Sequence, residues 1–272
     1  MEMQRNQVIA RVSKGSNMNQ IYLPKNAGVR IMPGDYVVIN LLTSSISEKQ
    51  AFKPYFYGIK ELEPIKLKIV EEVFDIILKL SKEEVNIIIT GSFLDKGFNF
   101  NDLDILILDN KIDVTSIEKK IYEMTGIRTH IIALTKEELT QGLASDPLFQ
   151  TMISRCISKD RLIFNYKPII NAKMLDLHLL KSKNLIDNFE VLSGREKYYL
   201  TFNLLSIMLF LEKGKITKEI VEKAINQEFH LKNNEEIKEN LIREEFLNKY
   251  KKLYDKTFNL IMKNSKGDKP IR

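Results

Sequence analysis

The sequence contains a single cysteine, Cys156, which excludes an internal disulfide and favours a reducing compartment. No positively charged and then apolar signal segment opens it. Its most apolar stretch, Tyr198–Leu211, is short for a bilayer and carries Thr201, Asn203 and Ser206, so it predicts a core helix. These absences favour a cytoplasmic protein with no membrane partner. We interpret Cys156 as a buried thiol, because it lies in an apolar segment.

The sequence also lacks internal repeats and any cysteine–histidine spacing typical of zinc sites. His178 and His230 stand alone, which favours structural or surface roles. The net charge of +6 permits an acidic partner such as a nucleotide or nucleic acid but does not require one. A length of 272 residues with 44% apolar and 29% charged residues is typical of a globular protein with two or three small domains.

The chemically richest stretch, residues 86–109, predicts two strands joined by a polar turn. Asn86–Thr90 is apolar and β-branched, as in a buried strand. Gly91 and Ser92 end it, and a loop rich in glycine, asparagine and aspartate follows. The second strand, Asp102–Leu108, has apolar residues on both faces, which favours a strand covered on both sides.

Two carboxylates begin this second strand. Because side chains alternate along a strand, Asp102 and Asp104 should point the same way with their Cα atoms about 6.5 Å apart. Such a pair can share hard cations with a bound triphosphate. Gly91 would let a phosphate approach the backbone, and the Ser92 hydroxyl and nearby amides could hold it. The alternative is a surface hairpin; Leu106 argues against it, because it lies on the carboxylate face and draws that face into the core.

Within about residues 64–165, a predicted strand is followed by Gly91-Ser92, then by nine residues, and then by Asp102 and Asp104. This order resembles the signature of the polymerase-beta-type nucleotidyltransferase superfamily. The resemblance implies a nucleoside triphosphate substrate and Mg²⁺ or Mn²⁺ held by the two aspartates. It further implies that Gly91 and Ser92 position the triphosphate while a hydroxyl acceptor takes the nucleotidyl group and pyrophosphate leaves.

The predicted third strand departs from that family. Active members usually carry a third carboxylate there, as the base that deprotonates the acceptor, but no acid occurs from Gly126 to Leu134. The nearest position holds His130, which could serve as base or metal ligand. Alternatively, Asp113 or Asp146 could come in from a loop, or the site could bind nucleotide and metal without efficient transfer. A lone histidine on a strand is most often only structural.

The N-terminal residues 1–45 predict a separate module. Gln20–Lys25 and Pro33–Ile39 resemble the AbrB/SpoVT-like swapped-hairpin family, although their connection is about two residues short. The resemblance implies an intertwined homodimer that presents basic residues to DNA. The candidate nucleic-acid contacts, to DNA or RNA, are Arg5, Arg11, Lys14 and Lys25. The alternative is a module that only dimerises or docks.

The whole chain predicts an α+β protein: a β swapped-hairpin domain (1–45), a linker (46–63), a nucleotidyltransferase-like mixed sheet with helices (64–166) and an all-helical domain (167–272). Tyr55–Tyr57 in the linker should pack on the next domain or, alternatively, stack on bases. Other predicted strands are Gln7–Val12, Gln20–Leu23, Tyr36–Leu41, Ile127–Leu134 and Arg161–Phe164. Predicted helices include Ile65–Leu80, Thr217–Phe229 and Glu235–Lys263, the last with Leu241 on its apolar face. A capping box at Thr115–Glu118 predicts a helix to about Thr125, and another at Ser193–Glu196 predicts a helix to about Glu212. Helical spacing also relates Leu148, Met152, Ile153 and Ile157.

Three functions fit these features. The first is a nucleotidyltransferase with an N-terminal dimerisation or DNA-contact module. The second is an AbrB-type DNA-binding transcriptional regulator whose nucleotidyltransferase domain is catalytically degenerate, which the missing third acid favours. The third is an antitoxin-like enzyme that modifies or masks a partner protein; chain length and the helical domain argue against it.

Overall fold

The computed structural model describes residues 12–14, 19–21, 53–81, 85–98, 100–109 and 111–264. The strands are β1 (Val12–Lys14), β2 (Asn19–Ile21), β3 (Tyr55–Tyr57), β4 (Ile87–Thr90), β5 (Asp102–Ile107), β6 (Arg128–Ala133) and β7 (Cys156–Ser158). The α-helices are α1 (Pro64–Leu80), α2 (Val114–Thr125), α3 (Lys136–Ser145), α4 (Pro147–Ile153), α5 (Ala172–Asp187), α6 (Gly194–Lys213), α7 (Lys218–Phe229), α8 (Glu235–Lys238) and α9 (Glu244–Asn264). The predicted α+β class is therefore confirmed.

The N-terminal part is described as one antiparallel ladder, in which β1 pairs with β2 and Lys14 lies opposite Asn19. Only the backbone of these two strands is described. The remainder of the predicted 1–45 module lies outside the described residues, including Arg5, Arg11 and Lys25.

A mixed five-stranded sheet forms the centre of the first compact unit, with the strand order β3-β7-β4-β5-β6. Neighbours run antiparallel except β5 and β6, which are parallel and are connected by α2. One face of the sheet packs with α1 and α2 into a hydrophobic core. Its buried members include Ile69, Val73, Ile77, Ile87, Ile89, Leu103, Ile105, Ile107, Ile117, Ile121 and Ile131.

Helix α2 begins one residue before the predicted cap. Asp113, not Thr115, caps it, and its carboxylate accepts a hydrogen bond from the Ser116 amide at 3.2 Å. The predicted capping box fails because Glu118 instead accepts the Ile131 amide of β6 at 3.1 Å. The predicted end of the helix is confirmed.

The edge of the sheet differs from the prediction. The sequence predicts a strand at Arg161–Phe164, but those residues form no strand, and the fifth strand of the sheet is β7. All three β7 residues are buried and pair with β3 on one side and β4 on the other, so sheet pairing overrides the helical spacing that includes Ile157. Tyr55–Tyr57, predicted as part of a linker, forms the edge strand β3.

The second compact unit is helical, as predicted after residue 167, with α6 buried on most sides. The predicted capping box at its start is confirmed: the Ser193 hydroxyl accepts from the Glu196 amide, and the Glu196 carboxylate accepts from the Ser193 amide at 2.8 Å. Helix α7 begins one residue after its predicted start, because Thr217 caps it and its hydroxyl accepts from the Ile220 amide at 3.3 Å.

The predicted long helix Glu235–Lys263 is broken into α8 and α9. Asn240 adopts a left-handed conformation with φ 61°, which interrupts the helix. Its side-chain oxygen accepts a hydrogen bond from the buried Lys197 ammonium at 2.7 Å, and this contact holds the break in place. Leu241, predicted on the apolar face, is therefore exposed.

The two compact units comprise Met1–Thr135 with Cys156–Leu162, and Lys136–Arg155 with Ile163–Arg272. Helices α3 and α4 thus belong with the helical unit, although the sequence analysis places them in the 64–166 domain. No helix in the described ranges is both long and apolar enough to cross a membrane.

Candidate active site

The candidate site lies where β4 ends beside the start of β5. Thr90, the last residue of β4, pairs with Asp104 in the antiparallel ladder. Gly91 follows with φ 82°, a conformation that side chains rarely adopt. A Cβ atom at Gly91 would overlap the Asp104 carboxylate and would lie 2.9 Å from its Cγ atom. Glycine is therefore required here, both for the turn and for the close approach of a carboxylate.

A 3-10 turn, Ser92–Leu94, follows the glycine. It is closed by hydrogen bonds from the Leu94 amide to the Gly91 carbonyl at 3.3 Å and from the Asp95 amide to the Ser92 carbonyl at 3.0 Å. Phe93 and Leu94 are buried, whereas Ser92 is exposed. The turn is thus anchored in the core just beyond an exposed serine.

The two predicted carboxylates occupy the same face of β5, as expected from strand alternation. Asp102 and Asp104 are both half-buried, and Leu103 between them is fully buried on the opposite face. Burial, and then the negative charge of Asp102, raises the pKa of the Asp104 carboxyl, while His130 acts in the opposite direction. The pair therefore concentrates negative charge that a cation would relieve.

His130 lies beside Asp104 in the parallel ladder between β5 and β6. Its Nδ1 atom is 3.6 Å from the Asp104 Oδ1 atom, an ion-pair distance that is long for a hydrogen bond. The imidazole is 65% exposed, so a substrate in solution can reach it. His130, which stands where the resembled family usually has a third carboxylate, is thus adjacent to Asp104.

Arg128 is a further candidate functional residue, which was not predicted from the sequence. It pairs with Asp102 in the same ladder, lies two residues before His130 and is exposed. Because residues two apart on a strand share a face, Arg128 lies on the same face of β6 as His130. Alternation on the predicted third strand was the signal that could have revealed it.

The two loop acids proposed as substitute bases have other roles. Asp113 caps α2 and accepts hydrogen bonds from both the amide and the hydroxyl of Ser116. Asp146 caps α4, where it accepts from the Leu148 amide at 2.9 Å. Both carboxylates are therefore occupied by helix capping.

The donors present suit a divalent cation that is bound together with a nucleotide. Across the described residues, no three histidine, cysteine, aspartate or glutamate side chains are grouped so as to hold a metal ion by themselves. Mg²⁺, however, is commonly held by one or two carboxylates plus substrate phosphates and water. Asp102 and Asp104 fit that pattern, because they share one face of β5 next to the turn that begins at Gly91.

The predicted buried thiol is confirmed. Cys156 is fully buried in β7, and burial raises the pKa of its thiol to about 12. It is thus unsuited to act as a nucleophile.

No family model matches this chain, and no curated protein matches it significantly.

Proposed function

We propose that this protein is a nucleotidyltransferase-fold enzyme that binds a nucleoside triphosphate with Mg²⁺ or Mn²⁺ and transfers a nucleotidyl group to a hydroxyl acceptor. The observation that carries the proposal is the contact between Gly91 and the Asp104 carboxylate. It sets the glycine-serine turn against Asp104, which shares a strand face with Asp102. A decayed site would have no physical need for this arrangement.

Each part of the turn has a role in the proposed reaction. Gly91 gives the turn its positive φ and allows the close approach of the Asp104 carboxylate, and the exposed Ser92 hydroxyl can donate a hydrogen bond to a phosphate. Asp102 and Asp104 would hold the divalent cation. When bound, the cation neutralises charge on the triphosphate and on the departing pyrophosphate. Most of the catalysis then comes from orientation and charge neutralisation.

His130 is the proposed general base. Its exposed imidazole can take the proton of an acceptor hydroxyl, and the nearby Asp104 carboxylate stabilises the imidazolium that results. The histidine replaces the acid expected at this position, and the acceptor would approach from the β6 side of the carboxylates.

Calorimetric titration tests the nucleotide site. ATP, GTP, CTP and UTP are titrated with Mg²⁺ and again with a chelator, into the wild type and Asp102→Ala/Asp104→Ala. The matched control is Glu71→Ala/Asp75→Ala, which removes two exposed carboxylates from α1 of the same unit. We expect metal-dependent binding of at least one nucleotide by the wild type and the control only. An absence of metal-dependent binding to all four nucleotides would rule out the enzyme.

A second candidate function is an AbrB-type DNA-binding transcriptional regulator with a catalytically degenerate nucleotidyltransferase domain. The histidine in place of an acid on β6 favours it, and so does the hairpin ladder of β1 and β2. In both functions the N-terminal module would supply a homodimer. Removal of residues 1–49 should then convert a dimer into a monomer in light scattering. An unchanged oligomeric state would exclude the swapped module.

A further inference from the structure

The ammonium group of Lys66 is buried beside the candidate site, in the first turn of α1. Its side chain has no exposed surface. The Nζ atom lies 5.6, 5.4 and 5.9 Å from the ring centroids of Phe93, Phe98 and Phe100, within the range of cation–π attraction. The rings of Phe93 and Phe100 also meet edge to face at 4.9 Å. Three aromatic residues of the loop between Ser92 and Asp102 therefore surround one cation.

Two polar contacts tie the same loop to α1. The Lys66 ammonium donates a hydrogen bond to the Asp95 carbonyl and lies 3.1 Å from Glu63 Oε2. The other carboxylate oxygen of Glu63 accepts from the Gly97 amide at 2.5 Å. That hydrogen bond, with a smaller contribution from Lys66, lowers the pKa of the Glu63 carboxyl. We call the pair of Lys66 and Glu63 the loop clamp.

The loop clamp is connected to the turn that carries the candidate phosphate site. Asp95, whose carbonyl accepts from Lys66, donates its own amide to the Ser92 carbonyl at 3.0 Å. Phe93, whose ring faces the cation, follows Ser92 directly in the chain. One buried charge thus touches the residues on the C-terminal side of Ser92 through both a ring and a carbonyl.

A charge is a costly means of filling this space. Burying an ammonium loses hydration that its partners must replace, whereas an apolar side chain of similar length would fill the space without that loss. The ammonium, unlike an apolar group, makes directional contacts, which hold a carbonyl, a carboxylate and three rings at defined distances. Such fixed geometry matters most where several protein groups must contact a ligand at the same time in defined positions.

We propose that Lys66, with Glu63 as its counter-ion, is a positioning residue that fixes the Gly91-Ser92 turn for binding the phosphates of a nucleotide. The inference rests on the proposed function, and neither residue of the clamp touches the nucleotide. The effect of losing the clamp should therefore depend on the phosphates and not on the base.

The test compares Lys66→Met with Lys79→Met, which removes the same charge from an exposed position of α1. Hydrogen exchange is measured on peptides covering residues 92–98, without ligand. Calorimetry then gives the affinities, with Mg²⁺, for inorganic triphosphate and for the nucleotide that the wild type binds best. We expect Lys66→Met to exchange faster in this segment and to lose about tenfold affinity for both ligands. Lys79→Met should match the wild type in both measurements.

A merely structural lysine would lower the melting temperature while leaving the two affinities within twofold of the wild type, and that outcome overturns the proposal. Unequal losses for triphosphate and nucleotide also overturn it, because the turn should contact phosphates only. If Lys66→Met does not fold, Glu63→Gln replaces it, and a smaller loss in the same direction is expected. Failure of the wild type to bind any nucleotide is a different result: it overturns the proposed function and the positioning role with it, whatever the exchange shows.

Discussion

Tyr250 and Gln150 in the helical unit use their polar groups differently from Asp104 in the sheet unit. The buried Tyr250 hydroxyl donates to the Ser182 carbonyl at 2.8 Å, and the Gln150 side chain donates to the Leu143 and Gly214 carbonyls and accepts from the Ile216 amide. These contacts satisfy the main chain and stabilise the fold. In the sheet unit, Asp104 is half-buried next to another carboxylate, and both features raise its pKa.

The comparison separates polar groups that are paired within the fold from a carboxylate whose charged form the fold disfavours. A satisfied hydrogen bond increases stability, whereas a desolvated carboxylate next to a like charge decreases it until a cation binds. Proteins tend to carry such unfavourable groups where function requires them.

The largest expected effect concerns Cys156, an ionisable group of the sheet unit that is fully buried. With a pKa of about 12, its thiolate should be scarce at pH 8, and modification by a maleimide should be about a thousandfold slower in the folded than in the unfolded protein. Mass spectrometry of timed samples measures the rate, and the urea-unfolded protein is the control. Rapid modification of the folded protein would contradict the burial of β7.

His130→Ala should lower the rate of nucleotidyl transfer without lowering the affinity for nucleotide. Loss of a general base lowers the rate of transfer by about a hundredfold, while metal-dependent nucleotide affinity should stay within about twofold. Pyrophosphate release from the best-bound nucleotide measures the rate. His130→Asp, which restores the acid of the resembled family, should retain more activity than alanine. A parallel loss of affinity in His130→Ala would instead make the histidine a metal ligand.

Gly91→Ala should damage both the fold and the site. Its Cβ atom would overlap the Asp104 carboxylate in addition to the strain of a positive φ, so we expect a loss of about 1–3 kcal/mol in the free energy of unfolding and loss of nucleotide binding. Gly97→Ala is the matched control, because Gly97 has the same φ of 82° and open space around it. Urea unfolding measures the stability of both variants, and calorimetry measures their nucleotide binding. Equal losses in the two variants would show that the contact with Asp104 is unimportant.

Tyr250→Phe should damage only the helical unit. The variant removes the hydrogen bond to the buried Ser182 carbonyl, which costs about 1–2 kcal/mol in the free energy of unfolding. Nucleotide affinity should be unchanged. Tyr199→Phe, on an exposed position of α6, is the control and should cost nothing measurable. A loss of nucleotide affinity in Tyr250→Phe would contradict the division of roles between the two units.

The smallest effect should come from Asp104→Asn in the absence of metal. Because the folded-state pKa of Asp104 is raised, wild-type stability falls as pH rises from the ordinary carboxyl value through the raised one. The variant lacks this loss and should be more stable above that range, by only a few tenths of a kcal/mol because the carboxylate is one-third exposed. Below that range the difference should vanish. Thermal unfolding across pH measures it, and a wild type that is more stable at neutral pH would contradict the raised pKa.

Local patterns were enough to predict much of the fold. The apolar run of β4 and the glycine after it predicted where that strand ends, and alternation predicted that Asp102 and Asp104 share a face of β5. The contact between Gly91 and Asp104 depends on the register of β4 with β5, which was not predicted. The helix starting after Ser193 was equally predictable, because its capping box depends on residues within one turn.

Features that depend on distant partners were not predictable from local patterns. Strand β7 is defined by pairing with β3 and β4. The break before α9 depends on Lys197 reaching Asn240 across 43 positions of sequence. The loop clamp likewise joins the start of α1 to a loop about 30 residues later, and nothing local marks Lys66 as buried.

The most direct test of the central claim is to count bound metal. Mn²⁺ is titrated in the presence of the best-bound nucleotide, and electron paramagnetic resonance reports the free ion. We predict that the wild type removes Mn²⁺ from solution beyond what the nucleotide alone binds, and that Asp102→Ala/Asp104→Ala does not. Equal Mn²⁺ binding by both proteins would contradict a cation site on the carboxylate face of β5.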